Sequence, residues 1–473
     1  MIDFDPFGKP LKDVELEDLD RLSEENVSEG TYIEYKRRFP DSQSIAKVIA
    51  SFANTHGGYF LIGLAEEDLT NIASGQIGVN VEEYPNPKET IRNIVRDHLN
   101  PSPNFTSRVI RRPDYDDYVI VLIEVPESHN APHIHSSGKI YTRTGEGSDP
   151  ISPETDRWTL DKLYERRNEW NERVQQFCHP DITLTRGQSG ETEHQADGWP
   201  FLEIYGVPST LGDPICSEVL DDIEGFKSIL EQSELVLPEF DDVETDEETA
   251  EGSLGMGRTY AAYRASSDAV VAQQWFQEED SGRIDTASAP ETVKFFDDGG
   301  LKALLAVPQL SFPEPAYGAW STLDQSVDGN IDYIRFLDGG ALLLNTFVLL
   351  NSYLNLLDEY NWMDNATREL HFKARIRNGN RTVLMFESEW FSDLIDEFGP
   401  PISYEDVIEI PRTGTRILYH EEGSEFSALL RCLTLIMEGF GLPWERRDRG
   451  TEELWDLIFE IGNFESEKDT DTH

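Results

Sequence analysis

Residues Ile49–Leu64 read IASFANTHGGYFLIGL, and this stretch decides the architecture of the first third of the chain. Ile49 and Phe52 continue the helical spacing begun by Ile45 and Val48, which predicts a helix over Ser42–Thr55 capped by Asp41 or Ser42. Gly57-Gly58 ends that helix. Tyr59–Leu64 is apolar throughout, the pattern of a buried strand. A glycine pair at such a junction admits φ > 0 and can present amide N–H groups to an anion, with Asn54 and Thr55 as further donors. An ordinary glycine C-cap accounts for the same residues.

Upstream, Thr31–Arg37 (TYIEYKR) reads as a strand. Downstream, Lys88–Leu99 is a helix with Ile91, Ile94, Val95 and Leu99 on one face. Asn100-Pro101 stops it. Phe105–Arg111 and Tyr118–Val125 are strands joined by a turn at Pro113–Asp117, Lys139–Arg143 is a further strand, and Glu154–Phe177 a helix. The fold class is therefore α+β. A β-α-β-α-β-β domain over 29–180 follows an acidic helical lead-in at 1–28. A polar linker at 181–198 leads to a separate C-terminal domain of α/β type over 199–463, with a disordered acidic tail at 464–473.

In the second domain, Phe201–Val207, Glu369–Arg377 and Thr382–Glu387 read as strands, and helices are expected near Glu425–Phe440 and Glu452–Ile461. The most apolar run, Ala341–Leu357, is broken by Asn345, Asn351, Ser352 and Asn355, which makes it a buried core helix and not a membrane span. With no basic and apolar leader at Met1–Asp5, a cytoplasmic protein without membrane contact is expected. Cys178, Cys216 and Cys432 are too far apart for a zinc pattern or disulfide framework and read as buried hydrophobes.

The net charge is −51, with 91 Asp+Glu against 40 Lys+Arg, and only 12 of the cations are Lys. That excess with so little Lys predicts a halophilic cytoplasm, where salt screens self-repulsion. The charge is unevenly placed. Residues from Asp181 onward carry −39, whereas Glu34–Arg112 holds 10 basic and 9 acidic residues. A near-neutral island in so acidic a chain fits either a small packed domain or a face that meets phosphate.

Glu34 and Lys36 share a strand face, and Glu29 lies five residues before Glu34. Carboxylates beside a lysine can hold a divalent cation, or can simply form a salt bridge. Glu66, Glu67 and Asp68 follow the Tyr59–Leu64 strand and could join them. Arg143, with Gly145 permitting close approach, can contact a phosphate, and the pairs Arg37-Arg38 and Arg111-Arg112 can line the same groove. His133 and His135, two apart on a strand near His129, would point both rings one way, as a metal site requires. Neither G-x-x-x-x-G-K-[ST] nor G-x-S-x-G occurs, which argues against a P-loop ATPase and against a serine hydrolase of that type.

Three motifs together carry a resemblance. TYIEYK at Thr31–Lys36 resembles the E-F-K strand of the Schlafen AlbA domain. IASFANTHGGYFLIGL resembles its central signature of an apolar helix running through G-G into an I-G strand. KIYTRTGEGS at Lys139–Ser148 is similar to its closing R-x-G motif. The resemblance implies an Alba-like core and nucleic-acid binding, DNA or RNA, in a regulatory or defence role. Lys36, Arg37, Asn54, Thr55, Gly57, Gly58, Arg143 and Gly145 would form the phosphate-binding set. It also implies two alternatives. One is a ribonuclease dependent on Mg²⁺ or Mn²⁺, with Glu29 and Glu34 matching two site carboxylates and Glu66 the third. Ala65 occupies the nearer of the two expected positions. The other is an ATP-binding regulator in which the Gly57-Gly58 amides hold phosphate. The nucleases pair two such lobes, which one copy per chain would supply only as a homodimer.

Overall fold

The computed structural model describes residues 5–66, 72–112, 115–144, 150–179, 199–232, 258–274, 291–309, 334–363, 368–386, 391, 397, 399, 402–411, 415–419 and 425–442. The expected linker at 181–198, the helix expected near Glu452–Ile461 and the acidic tail lie outside these. Two compact units divide the chain, the first essentially Met1–Gln176 and the second essentially Phe177–His473.

The first unit runs α1 (Leu16–Glu24), β1 (Ile33–Lys36), α2 (Ser42–Asn54), β2 (Gly58–Ile62), β3 (Leu64–Glu66), β4 (Ala73–Gln76), β5 (Val79–Asn80), α3 (Pro87–His98), β6 (Leu99–Asn100), β7 (Thr106–Arg112), β8 (Tyr115–Val125), β9 (Ile134–His135), β10 (Tyr141–Arg143), β11 (Ile151–Pro153) and α4 (Arg157–Phe177). Its main sheet has the order β1-β2-β8, with β7 and β5 also paired to β8. β1 and β2 are parallel, linked by α2, and β8 runs antiparallel to β2, β5 and β7.

Strand alternation gives this sheet two apolar faces. Phe60, Ile62, Val121 and Ile123 pack against Ile45, Ile49 and Phe52 of α2 and Ile91 and Val95 of α3. Ile33, Tyr35, Tyr59, Leu61, Ile120 and Leu122 pack against Phe7, Leu11, Val14, Leu19 and Leu22. The acidic lead-in is thus a core layer, its apolar residues turned inward and its acids left in water. The α2 N-cap is Asp41, whose side chain accepts from the Ser44 amide. The α3 N-cap is Asn86, with Pro87 opening the helix.

The second unit contains β12 (Phe201–Pro208), α5 (Ile223–Glu231), β13 (Ala262–Ala265), β14 (Ala269–Gln274), β15 (Glu291–Phe296), β16 (Leu301–Ala306), β17 (Arg335–Asp338), α6 (Gly339–Glu359), β18 (Leu370–Arg377), β19 (Thr382–Met385), β20 (Val407–Ile410), β21 (Arg416–Tyr419) and α7 (Glu425–Gly439). Its eight-stranded sheet, ordered β13-β14-β15-β16-β12-β18 with β20 and β21 both on β18, is antiparallel throughout. One face, with Leu202, Ile204, Val293, Phe295, Ala303, Phe372 and Ile376, shares a core with Phe226 of α5, Phe347 and Tyr353 of α6 and Leu433 of α7. Among the described residues, α6 alone is long and apolar enough to cross a membrane, and most of it is buried in this core. All three cysteines are free and buried.

Candidate functional site

Strand β1 places Glu34 and Lys36 on one side and Ile33 and Tyr35 on the other, as period-two alternation requires. The Glu34 carboxylate is divided between two cations. Its Oε1 meets Lys36 Nζ at 2.7 Å and its Oε2 meets Arg143 Nη2 at 2.8 Å. Glu29 Oε1 accepts from the Tyr35 amide at 2.8 Å and lies 3.4 Å from Lys36 Nζ. Glu29 and Glu34 therefore converge on one ammonium group, at the end of β1. Tyr35, behind them, donates its hydroxyl to the Val27 carbonyl, and burial first and Glu29 second push its pKa upward.

Arg143 is the anchor of the group. Its Nε and Nη2 donate to the Gly30 carbonyl at 2.8 and 2.5 Å, Nη2 also reaches the Ile33 carbonyl at 3.2 Å, and its guanidinium lies 4.2 Å from the centre of the Phe52 ring. Its side chain is fully buried. A planar fork that holds two carbonyls and a carboxylate at once is a role only Arg can fill. It ties β10, late in the unit, to the edge strand β1.

Asn54, at the last turn of α2, is also buried. Its Nδ2 donates to the carbonyls of His133 and Tyr141 at 3.1 and 3.0 Å, and its Oδ1 accepts from the His133 amide at 2.7 Å. Thr55 Oγ1 donates to the Ser51 carbonyl and accepts from the Arg143 amide at 2.9 Å. The Gly57 amide donates to the Phe52 carbonyl at 3.0 Å, closing α2, with φ +71°. Gly58 has φ +154°, and a Cβ there would land on the Tyr32 carbonyl and the Phe52 ring.

These contacts revise the phosphate-binding set. Asn54 and Thr55 are engaged with the chain's own backbone, and Arg143 with two backbone carbonyls and the Glu34 carboxylate, so all three already serve the fold. Gly57-Gly58 is a close-packed helix exit with its first amide in use, which removes it as a phosphate cradle. Lys36, half-buried, and Arg37 and Arg38, exposed, remain where solvent reaches them. Among the described residues, neither Arg37 nor Arg38 has an ion-pair partner. Arg111 is exposed, but Arg112 turns its Nη1 to the Ile77 carbonyl at 2.8 Å. Gly145, Glu67, Asp68 and the side chain of Glu66 lie outside the described residues. The backbone of β3, which carries Glu66, begins beside β1, because the Gly63 amide donates to the Lys36 carbonyl at 2.7 Å.

The three histidines do not assemble. His133 Nδ1 bonds the Pro101 carbonyl at 2.7 Å, His135 Nδ1 pairs with the Ser137 hydroxyl at 2.8 Å, and His129 stacks on Trp170 with ring centres 4.5 Å apart. No cluster of three or more His, Cys, Asp or Glu suited to a metal occurs among the described residues. Sequence reasoning missed Arg166, whose Nη1 and Nη2 approach the Asn54 and Thr55 carbonyls at 3.5 and 3.4 Å and so place a cation at the α2 C-terminus. Only its place midway along a long, highly charged helix could have signalled it.

Residues 29–152 match the family model described as Schlafen, AlbA_2. Two solved structures are similar over 29% of this chain. The DIP2311 protein from Corynebacterium diphtheriae is 18% identical, with 27% of that chain covered and a TM-score of 0.20. The N-terminal domain of a RecG-related protein from Nitrosomonas europaea, named for an ATP-dependent DNA helicase, is 23% identical, with 88% of that chain covered and a TM-score of 0.21. The chain thus spans about a quarter of the first structure's length. No curated protein matches it.

Proposed function

We propose, from the premise that residues 29–152 are a Schlafen AlbA_2 domain, that this protein binds the phosphate backbone of DNA or RNA at the end of β1. The observation that carries this is the sequence Lys36-Arg37-Arg38. It emerges into solvent directly from a strand held by Arg143 through the Ile33 carbonyl and the Glu34 carboxylate. Backbone contacts of this type give affinity with little sequence preference.

The test is binding of labelled tRNA and duplex DNA to the full chain across a KCl series. Each duplex phosphate that the protein no longer neutralises makes the slope of log K against log[KCl] shallower by about 0.9. Arg37→Gln/Arg38→Gln should therefore flatten it by about 2 and weaken binding alike for different sequences. Binding equal to that of the unaltered protein would sink the assignment of these residues. Absence of binding at every salt concentration would sink the function.

The convergence of Glu29 and Glu34 on one cation favours a second reading, a metal-dependent nuclease. Two carboxylates that meet at a positive charge are the hard-oxygen donors that Mg²⁺ or Mn²⁺ takes. Glu29 and Glu34, with Glu66 as the expected third, would hold the ion, which would polarise a phosphoryl oxygen. Cleavage of tRNA in Mn²⁺ that disappears in both Glu29→Gln and Glu34→Gln, each shown to be folded by circular dichroism, would support it. Binding without cleavage would refute it.

A further inference from the structure

Lys36 ends β1, and its ammonium group is already engaged. Its Nζ meets the Glu34 carboxylate at 2.7 Å, donates to the Tyr35 carbonyl at 2.8 Å and lies 3.4 Å from Glu29 Oε1. An ammonium has three protons to give, and these three acceptors match them. Of the basic residues in the Lys36-Arg37-Arg38 run, Lys36 is thus held inward at rest, while Arg37 and Arg38 stand exposed.

The formal charges of this cluster balance. Glu29 and Glu34 bring two negative charges, and Lys36 and Arg143 bring two positive ones. The carboxylate side chains of Glu29 and Glu34 are 8% and 5% exposed, whereas the Lys36 side chain is 36% exposed. Arg143 is fixed in place, because its fully buried guanidinium also holds the Gly30 and Ile33 carbonyls. Lys36 carries its charge on a flexible four-carbon stem and is the member of the cluster able to swing away. Its departure would leave two buried carboxylates facing one guanidinium, and an uncompensated buried charge is costly. A divalent cation accepted by Glu29 and Glu34 would turn that deficit of one into a surplus of one, beside an incoming phosphate. The same cation accepted with Lys36 still in place would leave a surplus of two with no phosphate to meet it.

We infer that the Lys36 ammonium is a removable internal counter-ion. In the free protein it closes the Glu29–Glu34 pair to divalent cations. When nucleic acid binds, Lys36 turns to a phosphate and the two carboxylates become available to Mg²⁺ or Mn²⁺, whose preference is for such oxygen donors. Cation and nucleic acid therefore bind cooperatively, each raising the affinity of the other by the same factor. This coupling rests on the end of β1 being the phosphate-binding surface, and it requires no cleavage.

Two measurements on the full chain test it. In the first, Mn²⁺ is titrated without nucleic acid into the unaltered protein, Lys36→Met and Lys36→Met/Glu29→Gln, with free Mn²⁺ read by electron paramagnetic resonance. The titration is run in KCl, which weakens binding to exposed carboxylates, and the double variant gives the baseline for the rest. Lys36→Met should bind Mn²⁺ about fivefold or more tightly than either of the others, the lower end of ordinary coupling. In the second, which needs no variant, labelled tRNA is bound to the unaltered protein with and without Mn²⁺ at constant ionic strength. Mn²⁺ should tighten binding about fivefold or more, opposite in sign to its competition with protein cations for phosphate, and the gain should vanish in Lys36→Met. Mn²⁺ affinity in Lys36→Met no greater than in the double variant overturns the proposal, and the second measurement decides alone should Lys36→Met fail to fold. Binding of tRNA that Mn²⁺ does not tighten also overturns it and leaves the β1 reading intact. No tRNA binding with or without Mn²⁺ removes both.

Discussion

Arg143→Met should be among the most damaging single substitutions in the first unit. It removes the guanidinium that serves the carbonyls of Gly30 and Ile33, and it leaves the Glu34 carboxylate buried with Lys36 alone. Breaking one side of a buried ion pair costs about 3–5 kcal/mol, because the surviving charge stays out of water. For a unit of this size each kcal/mol moves the midpoint by about 2–4 °C, which predicts a fall of roughly 6–20 °C. Thermal and urea unfolding followed by circular dichroism would read it, with the first unit's transition resolved from the second's. Two companion variants discriminate the cause. Arg143→Met/Glu34→Leu removes both charges and should recover much of the loss, a coupling that a double-mutant cycle reports directly. The loss should also persist in molar KCl, since a buried pair is little screened. A deficit under about 1 kcal/mol, or one that salt erases, would refute the description of Arg143 as a buried structural clamp.

Other outcomes follow from the same geometry. Gly58→Ala should destabilise by about 1–3 kcal/mol in urea titrations, since the added carbon meets the Tyr32 carbonyl and the φ of +154° suits glycine alone. Asn54→Ala should cost about 2–3 kcal/mol by the same measurement, because it strands the His133 amide and two carbonyls that the side chain now serves. Burial first, and the neighbouring His98 in addition, hold His135 below its usual 6.5 and outweigh an opposing hydrogen bond. Its folded pKa is depressed, so the unfolded chain binds the proton more readily. Stability should be full above about pH 6.5 and decline as pH falls through the window beneath it, and His135→Phe should flatten that part of the profile. In the second unit, burial raises the pKa of Glu409, but the hydrogen bonds from Lys373 and Arg375 win and the net shift is downward. Its contribution is present above the unfolded carboxylate value and is lost as pH falls through the folded one. An acid-unfolding profile of Glu409→Gln should lack that step.

The sequence was most legible where pattern and packing agree. Ile45, Val48, Ile49 and Phe52 announce α2 to within a residue, and the apolar run after Gly58 announces β2. Helix α6 was legible for the same reason, its apolar length exceeding any surface helix. The hairpin of β3 and β4 was not, because Ala73–Gln76 reads ASGQ, which has neither alternation nor β-branched residues. The site was half legible. Glu29, Glu34 and Lys36 could be grouped from local spacing. The role of Arg143 could not, because it depends on a partner 109 residues away and on burial that no local pattern encodes. Asn54 misled in the same way, since an amide beside a glycine pair reads as a ligand donor until its partners at His133 and Tyr141 are known.

The clamp between Arg143 and β1 also sets an order of assembly. Among the described strands β1 lies at the edge of its sheet, bonded by β2, and the guanidinium that fastens it belongs to β10, near the end of the unit. During synthesis the first strand must wait for about a hundred further residues before Glu34 meets its partner. A fragment that stops short of Arg143 would bury a carboxylate without its guanidinium. Any piece of this chain that keeps both the clamp and the far side of the sheet must therefore include Phe7 and run beyond β10.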